Sequence, residues 1–349
     1  MGIRTRTRSG SPKSLRSCTL SCVEASRQGV RSAVVVNPAK LGDLAEMRAT
    51  VGRALAKAGW PAPAWYETTV EDPGRGQSRA AVEAGAEVVF ACGGDGTIMS
   101  CASGLVGTDA ALAVLPSGTG NLLAANLGLS TDLAAGIAVA VEGGRRRLDL
   151  GLVKGRDEKR YFTVMAGMGF DAQMLGSTSE VTKARIGWLA YLFGGLKHLR
   201  GHPMRISVRI DDRPPIRRRA RSVLIANVGR LQGGVRLFKE AEPDDGWLDI
   251  AILTPRTVGH WAALGWAVLS RRGRVPRMET YRGHRVQVTS NRPQPRELDG
   301  DVIPPGRTLR IEVQPRAIWL CVPRPDDADD LAYDADAAAK RGRRLVGSE

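Results

Sequence analysis

Ala86-Glu87-Val88-Val89-Phe90-Ala91 runs straight into Cys92-Gly93-Gly94-Asp95-Gly96-Thr97, and this junction decides the fold. A β-branched and aromatic run of that length, ended abruptly by glycines, predicts a buried strand entering a tight turn. The residues beyond it, Ile98-Met99-Ser100-Cys101-Ala102, hold no breaker and can open a helix. Strand, glycine turn and helix together make an anion site. Glycines let the backbone approach a phosphate, while successive N–H groups and the helix dipole favour its charge. A carboxylate inside that cradle would repel the ligand, so Asp95 needs a reason: a metal ion, a water held on the metal, or a proton to take.

The same alternation extends on both sides. Upstream, residues 31–36 form a short β-branched strand that ends in the turn Asn37-Pro38-Ala39-Lys40. Residues 43–58 carry helical apolar spacing (Leu44, Met47, Val51, Leu55), with Gly59 as the stop. A strand over 64–69, a Pro/Gly loop and a helix over 77–85 follow. Downstream, the strand 111–115 enters Pro116-Ser117-Gly118-Thr119-Gly120-Asn121, a second glycine turn, and helices are expected over 122–127 and 137–141. Alternating strands and helices imply a parallel sheet with ligand-binding loops at the carboxyl ends of its strands.

The pattern changes after Gly143-Gly144-Arg145-Arg146-Arg147. Strand-like runs then dominate, over 149–153, 160–166, 204–210, 222–228, 248–254, 284–289 and 309–313. Many of them alternate polar with apolar, as a half-exposed antiparallel sheet requires. Helices are expected over 184–200 and 258–269. The chain therefore divides into a basic arm (1–31), disordered or a misassigned translation start, and an α/β domain (32–147). A mainly β domain (148–323), whose last strands can return to the first, and an Asp/Ala-rich mobile tail (324–349) follow.

Composition narrows the class. The 349 residues, 43% hydrophobic and 25% charged, suit a globular protein of two domains. The net charge of +15 points to an anionic partner or to solubility. Aromatics amount to only 5% and do not interleave with arginine, so a single-strand nucleic-acid platform and a specific nucleic-acid partner are not expected. Five cysteines (Cys18, Cys22, Cys92, Cys101, Cys321) without ligand-like spacing argue against zinc and for a reducing cytoplasm. No apolar run reaches the roughly 18 residues of a membrane span. The expected location is cytoplasmic, with peripheral contact to an anionic membrane surface.

Two paired glycine turns at successive strand ends are far more specific than one. With them the sequence resembles the diacylglycerol kinase catalytic-domain family, the lipid kinases that include bacterial diacylglycerol kinases and sphingosine kinases. The resemblance spans roughly residues 32–323, because later motifs follow in the family's order. These are Ala166-Gly167-Met168-Gly169-Phe170-Asp171-Ala172, then Asn227 with Gly233-Gly234, then Pro243-Asp244-Asp245-Gly246-Trp247-Leu248-Asp249, then Leu298-Asp299-Gly300-Asp301. It implies an α/β nucleotide-binding domain followed by a β-sandwich, with the active site between them, ATP as donor, and a lipid hydroxyl as acceptor.

The resemblance also implies roles. Asn37, Pro38 and Lys40 match the first nucleotide-contacting loop, although the family's usual Ser-Gly is replaced here by Ala39-Lys40-Leu41. Thr68, or Thr69 in its place, matches a nucleotide-contacting threonine. Gly93, Gly94, Asp95, Gly96 and Thr97 would cradle the phosphates, and Gly118, Thr119 and Asn121 of the second turn would meet the nucleotide. Asp301 matches the family's base, usually the glutamate of D-G-E, with Asp299 as the alternative carboxylate. Asp95 is either a Mg²⁺ organiser or the base. Glu242, Asp245 and Trp247 match a second, structural Mg²⁺ loop, for which an ordinary hairpin turn is the rival reading. Asp171 either orients the polar end of the lipid or serves as a turn or cap residue. The 184–200 helix is either plain core or a lipid entrance. The arginine clusters (Arg217, Arg218, Arg219, Arg221; Arg271, Arg272, Arg274) either meet headgroups or stay solvated.

The resulting expectation is an ATP- and Mg²⁺-dependent lipid kinase. A NAD kinase shares G-G-D-G-T and the α/β domain, but the second turn and the D-G-W-L-D segment argue against it, and no Asn-Glu pair is placed to read a nicotinamide ribose. A non-catalytic anion- or nucleic-acid-binding protein is the rival that charge alone suggests. The residues leave the lipid's identity open, and likewise the oligomeric state, a homodimer included.

Overall fold

The computed structural model describes residues 29–117, 121–130, 132–155, 159–169, 203–229, 237–238, 240–255, 257–269 and 275–323. The expected helix over 184–200, Gly118, Thr119, Asp171, Gly233, Gly234 and the arginines at 271, 272 and 274 lie outside them, as do residues 1–28 and 324–349.

Four parallel strands form the first half: β1 (Ser32–Val36), β2 (Ala64–Glu67), β3 (Val88–Gly93) and β4 (Ala111–Pro116), paired in the order β2-β1-β3-β4. Both sheet faces are covered, which is why β1, β3 and β4 read as unbroken apolar runs. Val35, Val89, Leu112 and Val114 pack with Ile98, Cys101 and Leu105 of α3 (Asp95–Leu105). The alternate residues Val34, Val36, Phe90 and Leu115 pack with Met47, Val51 and Leu55 of α1 (Leu44–Lys57) and Ile137 of α5 (Leu133–Glu142). Between them in sequence lie α2 (Arg75–Glu83) and α4 (Leu122–Asn126). Asp43 caps α1 by accepting from Ala45 N and Glu46 N, and Asp132 caps α5 by accepting from Ala135 N.

The second half is antiparallel. It contains β5 (Gly144–Lys154), β6 (Lys159–Phe162), β7 (Met165–Met168), β8 (Met204–Ile210), β9 (Ile216–Ala220), β10 (Ser222–Ala226), β11 (Leu248–Leu253), α6 (Val258–Leu269), β12 (Met278–Gly283), β13 (Arg285–Leu298) and β14 (Asp301–Val322). Its core stacks Phe162, Met168, Ile206 and Val208 against Ile225, Ile250, Val288 and Ile311. On the far side of β10 and β11, Leu224 and Leu253 pack against Trp261 and Leu264 of α6. Among the described residues no helix is long and apolar enough to cross a membrane.

The fold class is the one the sequence implied, a parallel α/β half followed by a β-sandwich. The two halves nevertheless share one continuous sheet, ordered β12-β11-β10-β7-β13-β14-β4-β3-β1-β2. Strand β14 starts in the sandwich against β13 and ends as a parallel neighbour of β4, with Trp319 beside Ala111 and Leu320 beside Leu112. Strand β5 accompanies its second half, from Gly144 opposite Val322 to Val153 opposite Ile311, so residues 147 and 148 lie inside one strand. Two strands escaped the sequence reading. In β9 three consecutive arginines, Arg217 to Arg219, mask an edge strand, a placement that keeps the edge from pairing with other chains. In β12 the polar pattern of Met278–Gly283 carries no clear alternation.

A buried carboxylate pins the shared strands. Asp149, 1% exposed, accepts from Arg316 N of β14 at 2.7 Å and from Gly246 N at 2.6 Å. Its backbone carbonyl accepts from the side-chain amide of Asn227, which also donates to the Thr163 carbonyl. Asp149→Ala leaves two backbone donors without their acceptor, so unfolding free energy should fall by roughly 2–5 kcal/mol. Urea unfolding followed by tryptophan fluorescence measures it; a loss below about 0.5 kcal/mol contradicts the assignment.

Candidate active site

The parallel strands deliver their loops to one line. Asn37 follows β1, Thr68 follows β2, Gly93 ends β3 and Ser117 follows β4, the carboxyl-end position at which open α/β sheets bind ligands. Backbone bonds lace the loops together: Asn37 N donates to the Cys92 carbonyl, Thr68 N to that of Val36, and Ser117 N to that of Gly93. Asn37 caps the short 3-10 turn Pro38–Lys40 by accepting from Ala39 N, which leaves Pro38 and Lys40 exposed at the rim. Thr68 is buried, whereas Thr69 accepts from Asp72 N in the following turn.

The glycine turn has the geometry of a cradle. A Cβ on Gly93 would fall 2.6 Å from Cβ of Thr97, so only glycine lets the chain fold over that buried threonine. Gly94 opens α3 with no side-chain cap, which leaves the first-turn N–H groups to a ligand. At Gly96, an added Cβ would meet Oδ2 of Asp301 at 3.9 Å, the one such neighbour among the described residues. The start of α3 and the start of β14 therefore face each other across a gap.

Asp95 has a reason that the sequence reading did not include. Its Oδ1 accepts from Leu122 N at 2.6 Å and thereby caps α4. Asn121, the cap residue of α4, sits in the left-handed region at φ 42° and gives α4 no side-chain bond of its own. The carboxylate of the first glycine turn thus holds the helix that follows the second. Burial pushes the Asp95 pKa up, the backbone N–H groups of Leu122, Leu123 and Asn121 pull against that shift, and the charge of Asp301 adds to it.

Asp301 reaches the gap through a hairpin. Asp299 and Gly300 both take positive φ, 49° and 93°, as a type I′ turn requires, and they place Asp301 opposite Leu298. Asp299 is committed to structure. It accepts from Thr163 N at 2.7 Å, Thr163 Oγ1 at 2.9 Å, Val164 N at 2.9 Å and Met165 N at 2.9 Å, which fills its acceptor sites. Asp301 has none of these partners; desolvation raises its pKa. Nearby Glu297, which the sequence reading passed over, lies against Gly167 and is raised to about 7 by burial and by the charge of Asp299.

The donor set at the gap suits a nucleotide that brings its own magnesium. Two carboxylates, Asp95 and Asp301, approach closely enough for one charge to raise the other's pKa. Mg²⁺ is commonly held by one or two carboxylates plus substrate phosphates. The expected second metal loop does not suit a resident ion. Both oxygens of Asp245 are taken, Oδ1 by Trp247 N at 2.9 Å and Oδ2 by the guanidinium of Arg282. Among the described residues no group of three or more His, Cys, Asp or Glu side chains is placed to hold a metal.

Comparison with known proteins agrees with this architecture. The family model described as "Diacylglycerol kinase catalytic domain" matches residues 31–153, and that described as "YegS C-terminal NAD kinase beta sandwich-like domain" matches residues 164–322. The "Probable lipid kinase YegS-like" protein of Klebsiella pneumoniae (strain 342) is 32% identical over 255 residues, covering 70% of this chain and 81% of its own. The protein of the same name from Pseudomonas putida is 31% identical over 301 residues, covering 84% of this chain and 96% of its own. A diacylglycerol kinase structure from Bacillus anthracis str. Sterne superposes with a TM-score of 0.66 at 18% identity, over 84% of this chain and 96% of that one, which is a likeness of fold. With both domains matched in order and the curated relatives covered over most of their length, the chain belongs to the YegS-like lipid kinase family.

Proposed function

We propose that the protein transfers the γ-phosphoryl group of ATP to a hydroxyl of a diacylglycerol-like lipid, with magnesium. The observation that carries this reading is Asp301 Oδ2 standing over Gly96 at the uncapped start of α3. A phosphoryl-transfer site needs its proton acceptor there, across from the phosphate cradle. The Gly93–Thr97 backbone and the helix dipole hold the phosphates, while Asn37, Pro38, Lys40, Thr68 and Asn121 border the nucleotide. Asp301 takes the proton of the attacking hydroxyl, while Asp95 caps α4 with Oδ1 and stands close enough to Asp301 to feel its charge. Magnesium bound with the nucleotide supplies charge neutralisation on the phosphates.

The acceptor lies in a bilayer, and the outer face of the sandwich supports docking on an anionic one. Arg205 of β8 lies directly opposite Arg219 of β9, Arg217 lies opposite Ser207, and Gln287 of β13 joins Arg209 to Arg310. These residues alternate with the core residues Ile206, Val208, Val288 and Ile311, so they project from the opposite face. The five arginines are exposed and form no ion pair among the described residues. Like charges directly opposite each other destabilise a sheet, and an anionic surface removes that repulsion.

Two outcomes test the proposal. With labelled ATP and magnesium, diacylglycerol in phosphatidylglycerol vesicles should be phosphorylated faster than in phosphatidylcholine vesicles, and Arg217→Glu with Arg219→Glu should remove the difference. Label on NAD, or on no lipid of a broad panel, contradicts the reading. Because a general base must be ionised, kcat/KM should rise with pH through a pKa above the ordinary carboxylate value of about 3.9. Asp301→Glu, which restores the family's D-G-E, should keep activity within about tenfold. A pH profile unchanged by Asp301→Glu together with full activity in Asp301→Ala removes Asp301 from the mechanism.

A further inference from the structure

The segment Pro243-Asp244-Asp245-Gly246-Trp247-Leu248-Asp249 gathers three aspartates within six residues, and Asp149 of β5 reaches in beside them. Such a cluster needs positive charge. Asp244 receives it from Arg146 of β5, whose Nε and Nη2 bond its two oxygens at 2.5 and 2.6 Å. Asp149 is matched by the backbone N–H groups of Gly246 and Arg316. Asp245 and Asp249 share a single guanidinium, that of Arg282: Nη2 pairs with Asp245 Oδ2 and Nε lies 3.4 Å from Asp249 Oδ1.

We propose that Arg282 is the resident cation of this loop, occupying the role that the family resemblance assigns to a structural divalent ion. The β-ladder places it there, because Arg282 of β12 is the register partner of Asp249 of β11. Its guanidinium also sits 5.6 Å from the centroid of the Trp247 ring, which stacks in turn on His284 at 3.9 Å. The guanidinium hydrogen-bonds Asp245 and pairs by charge alone with Asp249, so one side chain serves both carboxylates. A divalent ion requires several hard oxygen ligands. Only Asp249 Oδ2 remains without a partner among the aspartate oxygens of the loop, and the guanidinium beside it repels a second cation. The loop that precedes β11 and bonds Arg146 and Asp149 of β5 is therefore held by covalently attached charge, independent of metal supply.

The test uses the full chain without nucleotide, so that no phosphate recruits magnesium to the cleft at Asp95. After dialysis against a chelator, mass spectrometry should find substoichiometric divalent metal, and the melting temperature should be the same with chelator as with millimolar Mg²⁺. Arg282→Met should melt lower and regain part of the loss with Mg²⁺; Arg282→Lys should fall between. A wild-type melting temperature that drops on chelation and ceases to respond in Asp245→Asn overturns the proposal. A magnesium response that survives Asp245→Asn arises outside the loop and agrees with it. Arg282→Met melting as wild type also overturns it. If that variant does not fold, the chelation arm on the wild-type chain decides.

Discussion

Strand β14 belongs to both halves of the molecule, and the rest of the site depends on that sharing. Its first residue is Asp301, at the gap; its last turn of sequence lies beside β4, whose neighbour β3 ends in the glycine cradle. A carboxylate carried on a hinged second domain would wander relative to the glycine turn. One carried on a strand that pairs with β13 at its start and β4 at its end does not. Asp149 and Asp299 reinforce the arrangement at two points, one tying β5 to Arg316 of β14 and the other tying the hairpin before β14 to residues 163–165.

The electrostatics follow from this geometry. Desolvation raises the pKa of both Asp95 and Asp301, and the charge of Asp301 adds to the shift of Asp95. The neighbouring Asp-rich loop meets its carboxylates with Arg146 and Arg282, built into the chain. That cluster is neutralised internally, whereas Asp95 and Asp301 make no ion pair among the described residues.

Much of this was legible in the sequence. The apolar runs at 31–36, 86–91 and 111–115 announce strands buried on both faces, which β1, β3 and β4 are. The helix expected over 43–58 runs from Leu44 to Lys57, one residue inside each bound. Other features were not legible, for physical reasons. A period-2 pattern says which face a residue takes but not which distant strand it pairs with, so the return of the last strands to the first domain was expected while the length of β14, Asp301–Val322, and its pairing with β4 were not legible from the run at 309–313. Asp95 capping α4 and Arg282 pairing with Asp245 are contacts between segments 27 and 37 residues apart, which no local spacing encodes. Asp149 left one trace, a lone charge inside the apolar run Leu148 to Val153. A single acid there signals a buried, bonded carboxylate.

The central claim is that Asp301 takes the proton while Asp95 organises the cradle. Nucleotide affinity by calorimetry and turnover, measured side by side on Asp301→Asn and Asp95→Asn, test it most directly. The account predicts that Asp301→Asn binds ATP with magnesium nearly as the wild type does while turnover falls by about 10²–10⁴, and that Asp95→Asn weakens nucleotide binding itself. Turnover surviving in Asp301→Asn, with Asp95→Asn binding nucleotide normally but inert, would contradict it.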